Sequence, residues 1–169
     1  ADSLAGPGAA GERPTQQIFD YRLVESDAGV KQWILQSEEM RKYGGQRDMV
    51  LSEVHMDFFQ DGAHFSVLVA DSGTANTVTK QVFTWGNVVV TTDDGRRLET
   101  EELHFDDKSG LIHNDVFNRF TRRADVMTGF GLEATPDLEY IELKRDVKAA
   151  VTDTTDLARP APGSGKEGP

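Results

Sequence analysis

Three His-x-Asp pairs, His55/Asp57, His104/Asp106 and His113/Asp115, are the first candidates for chemistry in this sequence. On a strand, residues i and i+2 share a face, so each pair would set an imidazole beside a carboxylate, as metal ligation or acid–base work requires. Two ligands are too few for a metal site, and any third would have to arrive from another strand. The pairs alternate with apolar residues such as Met56 and Phe105, which assigns them to a solvated face. No metal, cofactor or catalytic residue is therefore expected. There is also no Cys, no Gly-x-Ser-x-Gly and no Gly-rich loop leading into a helix, so the chain reads as a non-enzyme.

Arg119, Arg122 and Arg123 form the one basic cluster on an acidic chain and could meet a phosphate or an acidic partner. The competing reading is a solvated strand or loop. Trp33 and Trp85, the two largest side chains, are expected to pack in the core.

The elements that would position these residues are strands. Val50, Ser52, Val54, Met56 and Phe58 alternate with more polar neighbours, as do Phe65, Val67 and Val69, and then Val88 and Val90. Period two is the pattern of a half-buried strand. Gly44-Gly45, Asp61-Gly62, Asp71-Ser72-Gly73, Asp93-Asp94-Gly95 and Lys108-Ser109-Gly110 supply turn chemistry, and each is read as a hairpin. Ser37–Tyr43 contains helix formers but lacks a cap and stops at Gly44, so it is read as strand, as is 137–150. Many short strands with Gly-rich turns argue for a sandwich, jellyroll or barrel.

Residues 1–15 and 152–169 lack the apolar surface that offsets chain entropy and are expected to be a flexible linker and a disordered tail around one domain, 16–151. The formal net charge is −11; each tail carries −1, which leaves −9 on the body. Such a body is repelled by nucleic-acid phosphates, and nucleic acid is excluded as a partner. No run of about 18 apolar residues suggests a membrane span. The start at Ala1 suggests that a segment upstream was removed.

Several of these residues stand in a telling order. Gly29-x-x-x-Trp33-x-Leu35 precedes a strand ending in Phe58 and then Phe65-x-Val67-x-Val69. Trp85-Gly86-x-Val88-x-Val90, Leu98-x-Thr100-x-x-Leu103-x-Phe105 and Gly129-x-Gly131-Leu132 follow. Over about residues 16–150 this succession resembles the LptC family and, more broadly, the fold shared with the LptA bridge proteins. The resemblance implies an all-β, twisted, V-shaped β-jellyroll of antiparallel strands, two sheets of which enclose an apolar groove for the acyl chains of lipopolysaccharide. It also implies a periplasmic protein anchored to the inner membrane, with the export ABC transporter at its N-terminal edge and an LptA-like bridge protein at its C-terminal edge. The groove set expected on that basis is Leu35, Val54, Phe58, Phe65, Val67, Val88, Val90, Leu103 and Phe105. Two other readings stay open: a closed barrel binding one small apolar ligand, and a structural sandwich with a filled core and no ligand.

Overall fold

The computed structural model describes residues 13–151. Of the tails expected at 1–15 and 152–169, residues 1–12 and 152–169 lie outside the described residues. Nine strands follow one another: β1 (Gln16–Asp27), β2 (Val30–Lys42), β3 (Met49–Gln60), β4 (Ala63–Asn76), β5 (Gln81–Thr92), β6 (Arg96–Asp106), β7 (Leu111–Arg122), β8 (Asp125–Ala134) and β9 (Ile141–Val151). No helix occurs among the described residues. All neighbours pair antiparallel, and the strand order equals the chain order.

Instead of two separate sheets there is one continuous, curled sheet, consistent with the β-jellyroll that the resemblance implied. It is open, since β1 and β9 end it without pairing to each other, and this sets aside the closed barrel. The curl comes from a line of breaks near mid-strand. Pairing shifts between Val69 and Ser72, Trp85 and Val88, Thr100 and His104, and Asn114 and Phe117. Positive φ at Asp20, Glu53, Asn87 and Asp146 marks the same line on β1, β3, β5 and β9. An extra residue bends a strand and increases its twist, so breaks aligned across neighbours fold the sheet into two walls. The outer side of the bend carries exposed acids, among them Asp20, Glu38, Glu53, Asp71, Asp115 and Asp146.

The walls meet through their hairpin ends. Trp33, at the start of β2, packs edge-on against Phe105, at the end of β6, with ring centroids 6.0 Å apart; Phe58 does the same at 5.2 Å. Lys80 Nζ lies 2.6 Å from Glu25 Oε2, and Arg96 donates to the Asp137 carbonyl at 3.3 Å. Leu138, in the β8–β9 loop, is buried in the core from this side.

Turns at Gly44-Gly45, Asp61-Gly62, Asp93–Gly95 and Lys108–Gly110 fall where the sequence places them. Asp71-Ser72-Gly73 does not turn the chain. It lies inside β4, at a break, and the turn comes at 77–80, where Asn76 Oδ1 accepts the Val78 and Thr79 amides at 2.9 Å. Ser37–Lys42 continues β2 as read, while 137–150 divides into a turn and β9.

Candidate apolar groove

Paired residues on neighbouring strands share a face, so the ladder maps which side chains line the inside of the curl. One inward row crosses all nine strands. Leu23 faces Leu35, which faces Met56 and then Leu68. From Leu68 the row continues through Val90, Leu98, Phe120 and Met127 to Ala149. Leu35, Met56, Leu68, Val90 and Leu98 are at most 1% exposed. A second row, on the opposite wall, runs Met49, Ala75, Val82, Phe105, Ile112, Ala134 and Ile141. Trp33, Phe58, Phe105 and Leu138 close the space between the walls on the hairpin side.

Toward β9 the lining reaches the surface. Phe120, Val126, Met127, Ala149 and Ala150 line a cleft of about 370 Å³, with the exposed Arg122 and Asp125 beside it.

Of the residues expected inside, Leu35, Val54, Phe58, Val88, Val90, Leu103 and Phe105 belong to the buried core, and Phe65 packs against it. Val67 does not. It faces Asp57 and Thr91 on the outer side and is half-buried there. The cause is a bulge: Phe58 pairs with Ser66 but Phe59 with His64, so Phe65 is the extra residue and Ser66, Leu68 and Ala70 point inward after it. A polar Ser at the inward position hid that switch, and Met56, Leu68, Leu98 and Phe120 were missed as lining residues.

Trp85 is likewise outside. It packs on Phe83 at 5.2 Å, Phe83 stacks on His104 at 4.3 Å, and His104 stacks on His113 at 5.0 Å, forming an aromatic row over β5–β7. Burial and the neighbouring His113 hold the His104 pKa below its usual value.

Among the three His-x-Asp pairs, His55 Nε2 lies 3.2 Å from Asp57 Oδ2. Asp57 also meets His64 Nε2 at 2.8 Å, and His64 Nδ1 lies 2.8 Å from Asp93 Oδ2. These carboxylates, Asp93 first, raise the His64 pKa against its partial burial. Asp115 turns instead to Arg145 at 2.8 Å. No group of three or more potential ligands among the described residues is arranged to hold a metal.

The three arginines do not form one patch. Arg119 is on the outer face, 3.7 Å from Glu99; Arg122 lies beside the apolar cleft; Arg123 occupies the β7–β8 turn with φ 56°.

Buried polar side chains concentrate at the β6–β7 break. Asn114 Nδ2 donates to Asn118 Oδ1 at 2.8 Å and to the Glu102 carbonyl at 2.9 Å, and Asn118 Nδ2 donates to the Val116 carbonyl at 2.8 Å. Thr100 Oγ1 donates to the Phe117 carbonyl at 2.7 Å. Together they satisfy backbone groups that the shifted pairing leaves without ladder partners.

A curled antiparallel sheet with an unbroken apolar row inside and open edges is the architecture of a β-jellyroll. The chain belongs to the LptC family: the model described as "Lipopolysaccharide-assembly, LptC-related" matches residues 11–153. That membership places it in lipopolysaccharide transport, in a family of transport components and not of known enzymes. No curated protein matches the chain.

Proposed function

We propose that this protein receives lipopolysaccharide from an inner-membrane ABC transporter at its β1 edge, holds the acyl chains between its walls, and passes the lipid to an LptA-like bridge protein at its β9 edge. It would act in the periplasm, tethered to the inner membrane. The observation that carries this reading is the inward row from Leu23 to Ala149, which spans the sheet from one edge to the other and meets the surface in the cleft beside β9. Burial at about 0.8 kcal/mol per CH₂ makes such a lining sufficient to hold acyl chains, with no fixed contact to the head group. The free sides of β1 and β9 offer unpaired backbone groups to which a partner strand can add. Side chains of the protein itself fill the space between the walls, so lipid must part Trp33, Phe58 and Phe105 as it enters.

Photo-crosslinking tests this reading on two neighbouring rows. Leu68, Val90 and Leu98 face inward, whereas Val67, Thr91 and Arg97, each one residue away, face outward. Crosslinkers at the inward positions should capture lipopolysaccharide, those at the outward positions should not, and salt should change the yield little because apolar burial is not screened. Equal capture from both rows would refute the groove. Capture abolished by moderate salt would assign contact to the arginines instead.

A further inference from the structure

Ser66 is fully buried, and its Oγ is the single buried side-chain nitrogen or oxygen among the described residues without a hydrogen-bond partner. Leaving a hydroxyl in that state is unfavourable, and alanine would fill the position without the cost. The other buried Ser and Thr hydroxyls are engaged: Thr84 donates to the Leu103 carbonyl, Thr100 to the Phe117 carbonyl and Ser37 to the Glu39 carbonyl. Thr92, the β5 partner of Ser66, donates to Asp94 and accepts the Arg96 amide at 2.8 Å.

The position of Ser66 gives the orphan hydroxyl a meaning. Its inward row runs Trp33, Phe58, Ser66, Thr92, one step toward the hairpin tips from the apolar row containing Met56, Leu68 and Val90. Two residues along a strand span about 6.8 Å. An acyl chain with its tail on the apolar row and its head in the water beyond the hairpin tips therefore passes Ser66 with its first few carbons. Resting on the groove reading above, we infer that Ser66 Oγ is a polar subsite for a hydroxyl or acyloxy oxygen borne a few carbons into an acyl chain, and so selects oxygenated chains over plain ones. Such an oxygen would satisfy the hydroxyl, whereas a methylene would leave it orphaned.

The probes are 3-hydroxytetradecanoic acid and tetradecanoic acid, titrated into the wild-type protein and into Ser66→Ala, with thermal melting of both proteins alongside. One neutral hydrogen bond predicts that wild type prefers the hydroxy acid by about 3- to 10-fold. In S66A that preference should fall to near unity, with affinity for the plain acid unchanged and the melting temperature equal or higher, because an unsatisfied group has been removed. An unaltered preference in S66A, or equal loss of both acids, would overturn the inference while leaving the groove standing. Failure of wild type to bind either acid would overturn the groove reading and this inference with it.

Discussion

The indole Nε1 of Trp33 donates to Asp107 Oδ1 at 2.8 Å across 74 residues of chain, joining the start of β2 to the β6–β7 turn. With the Lys80–Glu25 pair and the Arg96 bond to the β8–β9 loop it ties the two walls along their hairpin ends. A hydrogen bond to a charged acceptor contributes about 1.5–3 kcal/mol. Trp33→Phe and Asp107→Ala should each lower stability by about 1–2 kcal/mol in urea unfolding, and the double variant by less than the sum. The chain has no native Cys, so Val90→Cys alone can report opening of the walls. Its reaction with a thiol reagent should quicken several-fold in the Asp107→Ala background.

Asn118 is fully buried and bonded to Asn114 and to the Val116 carbonyl. Asn118→Ala removes the side-chain donor to the Val116 carbonyl and the bonds to Asn114, which keeps its bonds to Thr100 and the Glu102 carbonyl, and should cost about 1–3 kcal/mol. Asn118→Leu would add an apolar surface to the groove yet still destabilise, because the broken ladder, not the lack of hydrocarbon, is what the amide serves. Denaturation midpoints of the two variants against wild type decide this.

Gly86 sits at the β5 break with φ 84°, where an added Cβ would stand 2.9 Å from the Asp71 Cβ on β4. Gly86→Ala should destabilise by at least about 1 kcal/mol from conformation alone, and more from the contact. Gly95→Ala, with positive φ but nothing within 4 Å, carries only the first cost. A smaller loss at Gly86 than at Gly95 would contradict the close packing of β4 against β5.

Two histidines should give pH dependences of opposite sign. Asp93 and Asp57 raise the His64 pKa, so its contribution is full below the unfolded value of about 6.5 and disappears as pH rises through the folded value. Burial and His113 lower the His104 pKa; its contribution is full above about 6.5 and is lost as pH falls through the folded value. His64→Gln should therefore lose more stability at pH 5.5 than at pH 8, as estimated from the ordinary imidazole range. His104→Phe, which keeps the stack on Phe83, should lessen the fall in stability on acidification. Urea midpoints across this range would reverse the assignment if both variants moved alike.

The architecture was legible because its carriers are local: alternation in β3 and β5, and Gly or Asp in four of the turns. The inward-facing residues were read where alternation is unbroken, as at Val88 and Val90. They were misread at Val67, since a bulge moves every later side chain to the opposite face and no residue type announces it. Asp71-Ser72-Gly73 misled for a related reason: a break inside a strand uses the same chemistry as a turn between strands. Asp93, which fixes His64, and Asp107, which accepts from Trp33, could not be found from sequence because the first contact joins the ends of two neighbouring hairpins and the second joins opposite walls.

Strand order equal to chain order has a consequence for how the molecule is made. Each strand finds its partner in the one completed just before it, so the sheet can grow hairpin by hairpin as the chain emerges, with little loop entropy at any step. Closure is different. Trp33 cannot meet Asp107 until the β6–β7 turn exists, and Arg96 cannot reach Asp137 until β8 is complete. Until then Leu35, Met56 and Leu68 present an uncovered apolar strip on a nascent sheet with a free edge, the interval in which newly made chains would be prone to stick to one another.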